Sequence, residues 1–224
     1  MGGYYREMTD RNYENCNSQN LRIGMENRGE IAQLYPTPIY WVHMVDNFDA
    51  IQTEIGEALK NVNFGMKEAW GSTHYLSDPS FTENIIVQSK LDKLKDEIVN
   101  HVNYYCKTIG FPQHDGVIAT SWASLFKQGN YGHCHHHGNT DISGVYYFKT
   151  EGTDGKLYFE NLVPRMTSSY TYKSLCERQE IVANDGLLCL FPGWLMHGIS
   201  TNTKDSDRIS ISFNIDFVSH SHSN

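Results

Sequence analysis

Long apolar runs are missing from this chain, and none approaches the ~20 residues that a membrane-spanning helix requires. Basic clusters are missing as well. Lys and Arg total 18 against 26 Asp and Glu, a formal net charge of −8. A protein that grips phosphate backbones usually carries a basic face, so nucleic acid is disfavoured as a partner. Cysteine is sparse: Cys16, Cys106, Cys134, Cys176 and Cys189 are odd in number, scattered and never spaced as Cys-x-x-Cys. That pattern suggests neither a disulfide framework nor a thiolate zinc site, and reads as reduced, mostly buried small hydrophobes. The N-terminus, Met1-Gly2-Gly3-Tyr4-Tyr5, lacks the basic-then-apolar plan of a secretory signal. A cytoplasmic protein is expected. Internal repeats are also lacking.

What is present is enough apolar material, 39% hydrophobic and 12% aromatic over 224 residues, for one domain with a sizeable core. Histidine is the anomaly: four of the 11 fall in His133-Cys134-His135-His136-His137.

Residues 1–30 are polar and Asn-rich without apolar periodicity, and read as a flexible arm before a single domain over 31–224. A β-rich run follows at Pro38 to Val45. Ile51, Ile55, Ala58, Leu59 and Val62 then recur at helical spacing over Phe48 to Val62, with Asp46 or Asn47 available as a cap. Leu91, Leu94, Ile98, Val102 and Tyr105 mark a second helix, with Ser89 as its expected cap and Gly110-Phe111-Pro112 as its end. The spacing thus predicts helical support over 46–110.

Beyond residue 115 the pattern becomes short β-branched and aromatic runs separated by Gly, Pro, Asn and Asp: Val117–Phe126, Ile142–Lys149, Lys156–Glu160, Gln179–Ala183, Leu187–Phe191 and Arg208–Phe217. Arg208-Ile209-Ser210-Ile211-Ser212-Phe213-Asn214-Ile215 alternates polar and apolar, as a strand with one face in a core should. Six short strands over 117–217 behind two helices predict a mainly β sandwich or jelly roll with the helices packed outside. The Ser/His tail at 219–224 reads as a solvated terminus.

In an extended strand residues two apart point the same way, so His133, His135 and His137 would share a face. Neighbouring imidazoles on one face can converge on a cation, and neutral imidazole suits Fe, Zn, Cu or Ni. A ligand from a distant segment is needed to complete such a face, and His197 is the candidate, following the apolar strand and Pro192-Gly193 turn. Arg208 and Ser210 share another strand face, where a guanidinium fork and a hydroxyl can hold one carboxylate.

His-x-His, Ser143-Gly144-Val145-Tyr146-Tyr147, Leu188-Cys189-Leu190-Phe191-Pro192, His197 and Arg208-Ile209-Ser210-Ile211-Ser212-Phe213-Asn214 occur in that order. Together with Trp122 and Gly129 they resemble the Fe(II)/2-oxoglutarate-dependent dioxygenase superfamily, and within it a little-characterised bacterial and phage branch. The resemblance spans roughly residues 117–217. It implies a double-stranded β-helix, Fe(II) as cofactor, and 2-oxoglutarate and O2 as co-substrates. By it, His135 and His197 are metal ligands, Arg208 and Ser210 hold the distal carboxylate of 2-oxoglutarate, and Tyr147 adds a hydroxyl to the same carboxylate. The third ligand departs from the superfamily: His137 stands where Asp or Glu is usual. It is preferred to Asp141, four residues on, because the i, i+2 relation needs no special loop. His133 and His136 are then exposed, or lie beside the metal or the substrate.

The activity implied is hydroxylation of a C–H bond with formation of succinate and CO2. The substrate is open between a small molecule and a peptide or protein residue, with the latter preferred, and Trp122, Tyr131, Tyr158 and Trp194 are candidate pocket aromatics. If the gene is phage-borne, the cytoplasm is that of the host. Two other readings share the fold: a metal-loaded jelly-roll module with a closed shell, His133 being its fourth ligand, and a cupin-like metalloenzyme without the 2-oxo acid. The second leaves Arg208-x-Ser210 without a purpose.

Overall fold

The computed structural model describes residues 36–68, 73–77, 84–111, 115–161 and 178–218. The chain divides into two units, Met1–Pro36 and Thr37–Asn224. The expected arm at 1–30, the tail at 219–224, Cys16 and Cys176 lie outside the described residues.

Three helices form. Helix α1 (Phe48–Leu59) buries Ile51 and Ile55, one turn apart on a single face. Asn47 occupies its N-cap position without capping it, and its amide nitrogen donates to Glu97. The second helical signal splits in two. A short α2 (Ile85–Gln88) is capped by Asn84, whose side chain accepts from the Val87 N–H. Ser89 closes that turn rather than opening the next, and Lys90 reverses the chain at φ 54°. Helix α3 (Asp92–Thr108) therefore starts later than expected, with Leu91 at its N-cap position. It ends before Gly110, at φ 74°. None of the described helices is long and apolar enough to cross a membrane.

The strands are β1 (Tyr40–His43), β2 (Gly65–Met66), β3 (Tyr75–Leu76), β4 (Asp115–Phe126), β5 (Gly132–His135), β6 (Ile142–Lys149), β7 (Leu157–Phe159), β8 (Gln179–Ile181), β9 (Leu187–Pro192), β10 (His197–Ile199) and β11 (Arg208–Val218). They form a seven-stranded sheet, β1-β9-β6-β11-β4-β3-β2, and a four-stranded one, β5-β10-β7-β8, every pairing between neighbours being antiparallel. This is the expected jelly roll. All six strand signals beyond residue 115 fall on strands. β2, β3 and β5, with two to four residues each, are too short to carry a period of their own.

The alternation in β11 is realised with a twist. Its apolar residues Ile211, Phe213 and Ile215 turn outward under α1 and α3, into the cluster that holds Ile51, Ile55, Leu94, Ile98 and Val102. Each such side chain contributes about 1.5–3 kcal/mol by burial. Its polar residues Arg208 and Ser210 turn inward between the two sheets, and both are buried. On β6 the same division puts Tyr146 among the helices and Tyr147 in the inner cluster with Leu157, Phe159, Cys189 and Phe191. The larger sheet is covered on both faces, and polar groups line the inside.

Candidate metal centre

The small sheet brings two distant histidines together. β5 and β10 pair antiparallel with His197 directly opposite His135, and their ring centroids lie 4.6 Å apart. His137 follows two residues after His135 and lies beyond the end of β5, so alternation along a strand is not what places it. Its backbone N–H instead donates to the Gly193 carbonyl at 2.8 Å, which ties it to the turn leading into β10. That turn needs glycine, since a Cβ at Gly193 would stand 2.1 Å from the Thr140 carbonyl oxygen.

The nitrogens of His135, His137 and His197 all lie within 4.8 Å of one another. His135 Nε2 and His137 Nε2 are 3.1 Å apart, close to the ~3.0 Å between two imidazole nitrogens at right angles on an ion about 2.1 Å from each. His135 Nδ1 donates to the His133 carbonyl and His197 Nδ1 to the Leu195 carbonyl, each at 2.7 Å. A carbonyl only accepts, so both rings carry their proton on Nδ1 and a lone pair on Nε2. His137 Nδ1 lies 2.6 Å from Asn214 Oδ1 and 2.9 Å from Ser143 Oγ. Burial, and secondarily the neighbouring histidines, pushes His197 down to about 3. Burial lowers His137 to about 4 against the opposing hydrogen bond from Asn214, and lowers His135 too. All three stay neutral near pH 7, the form that binds a cation.

Other candidates fall elsewhere. His133 is exposed and sets its ring edge-on to Tyr131, and His136 is exposed with Nδ1 accepting from the Gly138 N–H. Asp141 is exposed, its carboxylate accepting from the Phe217 N–H at 2.8 Å, and it is not among the grouped side chains. Among the described residues no fourth His, Cys, Asp or Glu joins the triad. Trp122 lines the same cavity as the histidines, whereas Tyr131 and Trp194 are exposed and Tyr158 lies beneath the Arg178 guanidinium. Cys106 and Cys189 are buried and Cys134 is exposed.

The triad opens into a cavity of about 70 Å³ whose wall includes Ser124, Phe126, Arg208, Ser210 and His74. Arg208 is 0% exposed, its guanidinium 4.9 Å from the ring centres of both Phe126 and Tyr147. Among the described residues none of its three guanidinium nitrogens has a hydrogen-bond partner, nor does the buried Tyr147 hydroxyl. Burial raises Tyr147 to about 12, although the Arg208 charge pulls the other way. Ser210 sits opposite Tyr147 on β6 and Ser124 on β4. Among the described residues no carboxylate lines this cavity. A buried cation without a counter-charge is strongly unfavourable, so the cavity is built to receive an anion with several acceptor atoms. A carboxylate matches the guanidinium fork.

His74 escaped the sequence reading. It is a lone histidine beside a two-residue strand, yet it stacks flat on Phe126 with centroids 4.5 Å apart. Burial, followed by His135 and Arg208, lowers it to about 4. Asn214 and Ser143 stood inside recognised motifs without a role, since a partner to an imidazole is visible only in three dimensions.

Comparison with known proteins agrees with this architecture. Residues 120–214 match the family model described as "Putative 2OG-Fe(II) oxygenase". No curated protein matches the chain. Among solved structures, the α-ketoglutarate-dependent epimerase SnoN from nogalamycin biosynthesis superposes with a TM-score of 0.60 at 12% identity, over 81% of this chain and 78% of its own. HygX from Streptomyces hygroscopicus, with nickel, 2-oxoglutarate and hygromycin B bound, gives 0.54 at 12% identity over 81% and 84%. A Pseudomonas putida prolyl-4-hydroxylase gives 0.51 at 12% identity over 82% and 94%. The fold is the double-stranded β-helix of 2-oxoglutarate oxygenases. The likeness to the 2OG-Fe(II) oxygenase family model is carried by residues 120–214, the stretch that holds the three histidines, Arg208 and Ser210.

Proposed function

We propose that the protein is a dioxygenase that hydroxylates a C–H bond of its substrate, with His135, His137 and His197 holding Fe(II) and Arg208, Ser210 and Tyr147 holding 2-oxoglutarate. The observation that carries this reading is the pairing of a three-histidine group with a buried, unpartnered guanidinium on the wall of one cavity. The residues suit both groups. Three neutral nitrogen donors fit a divalent ion, and Arg208 with two hydroxyls fits the distal carboxylate of the dicarboxylic acid.

When bound, Fe(II) and 2-oxoglutarate supply oxygen activation coupled to decarboxylation of the 2-oxo acid to succinate and CO2. The chain itself binds, orients and excludes water. Arg208 would hold one carboxylate of the co-substrate, on the wall of the same cavity that the triad lines. Phe126, Phe191 and Leu157 wall the cavity with apolar surface. No side chain has to act as nucleophile or general acid, and none of the three histidines need change protonation.

The substrate we infer is a peptide or protein residue, in preference to a small metabolite. The Pseudomonas putida prolyl-4-hydroxylase matches over 94% of its own length, which supports this preference. A closed zinc shell has no fourth ligand among the described residues.

The test is an anaerobic titration of the purified protein with Fe(II) and then 2-oxoglutarate, followed by succinate formation on admitting O2. Wild-type protein is expected to bind one Fe(II) and then 2-oxoglutarate, and the Arg208→Ala protein to bind 2-oxoglutarate only weakly. Undiminished decarboxylation in the Arg208→Ala protein would remove the assigned anchor.

A further inference from the structure

We propose that Asn214 is the positioning residue that makes His137 a metal ligand, by holding the proton of that ring on Nδ1. The proposal rests on His137 being a ligand. His135 and His197 have their tautomers set by main-chain carbonyls, which can only accept. His137 has no such carbonyl. Its Nδ1 meets two side chains, Asn214 Oδ1 at 2.6 Å and Ser143 Oγ at 2.9 Å. Hydroxyls and amides offer both donors and acceptors, so this is the one ring of the three whose proton the backbone leaves free to move.

The two tautomers have opposite consequences. With the proton on Nδ1, His137 Nε2 presents its lone pair to the lone pair of His135 Nε2 at 3.1 Å, an arrangement that favours a cation. With the proton on Nε2, His137 donates it to His135 Nε2, and both nitrogens are lost as ligands. The Asn214 amide, in the orientation the structure shows, favours the first: its Nδ2 donates to Thr120 Oγ1 at 2.9 Å, the Ser143 hydroxyl donates to Oδ1 at 3.1 Å, and Oδ1 faces the ring. Adjacent strands of the large sheet thus combine to present an acceptor to Nδ1: β4 through Thr120, β11 through Asn214 and β6 through Ser143. An outer partner of this kind fixes ring orientation and tautomer, and its loss typically lowers metal affinity by about 10–100-fold.

The experiment measures Co(II) affinity by calorimetry in the full-length protein, together with ¹⁵N chemical shifts of the histidine rings without metal. Asn214→Leu is expected to weaken Co(II) binding by about 10–100-fold and to move the His137 signals toward the Nε2–H form. Asn214→Asp, which can only accept, is expected to bind Co(II) at least as tightly as wild type and to keep the Nδ1–H form. An Asn214→Leu protein with wild-type affinity, or an Asn214→Asp protein as weak as Asn214→Leu, overturns the proposal. If Asn214→Leu does not fold, Thr120→Val, which frees the amide to flip, carries the same expectation with a smaller loss, and wild-type affinity there overturns it. His137→Ala separates the two levels. If it binds Co(II) like wild type, His137 is no ligand and the underlying reading falls. If it weakens binding while Asn214→Leu does not, only the role of Asn214 falls.

Discussion

His135 and His197 stand in register across the ladder of β5 and β10, 62 residues apart in sequence and 4.6 Å apart between ring centres. Each donates Nδ1–H to a carbonyl two residues earlier in its own chain segment. The pairing of two short strands therefore sets the separation, the tautomer and the aim of two nitrogens at once. Replacing either histidine by Ala is expected to lower metal affinity by more than about 100-fold, beyond the loss typical of an outer partner. Metal analysis of the purified variants, alongside near-ultraviolet circular dichroism to establish folding, is the measurement. Stoichiometric metal in either folded variant would show that the pair is not a ligand set.

Arg208 is buried without a counter-charge. Even a buried ion pair replaced by apolar side chains of similar volume often leaves a protein as stable or more stable, by up to about 4 kcal/mol, and a buried charge with no partner has less to lose. Arg208→Met is therefore expected to raise the melting temperature of the ligand-free protein and to lack the further rise expected of wild type with added 2-oxoglutarate. Thermal melts of both proteins with and without the co-substrate test this. A 2-oxoglutarate-dependent rise retained in Arg208→Met would dismiss Arg208 as the anchor.

Metal-free protein should lose stability on mild acidification. His74 and His137 titrate at about 4 in the fold and His197 at about 3, against 6.5 for an ordinary imidazole. Between those values the unfolded chain holds more protons than the folded one, so stability falls as pH drops from about 6.5 toward 4. Above 6.5 these groups add no pH dependence. Denaturant midpoints at pH 7.5 and pH 5 are expected to be higher at the former. An unchanged or higher midpoint at pH 5 would contradict the burial-driven shifts.

Asp141 hydrogen-bonds the Phe217 N–H at the far end of β11, away from the triad. Asp141→Ala is expected to cost about 1 kcal/mol of stability while leaving metal affinity within about twofold. A tenfold loss of affinity would return this carboxylate to the metal.

The jelly roll was readable because β-branched and aromatic runs separated by turn residues survive compression into one dimension. Ile142–Lys149 became a strand with the bounds its composition suggested. The helix start was misjudged because Ser89 and Lys90 build a turn whose cost and benefit depend on α2, four residues of weak pattern. His137 was chosen over Asp141 on strand alternation, yet it lies past the strand and is placed by a hydrogen bond to Gly193. His137 does stand beside His135 and His197, for a reason the sequence did not contain. His74 and Asn214 were illegible as functional groups, since each depends on a partner more than 50 residues away, Phe126 for one and His137 for the other.

The two rings that clasp Arg208 leave its positive end nowhere to go when the cavity is empty. By mass action, any dicarboxylate that settles there holds the chain folded more firmly. Resistance of this protein to protease should accordingly climb and fall with the supply of its own co-substrate, even in the absence of turnover.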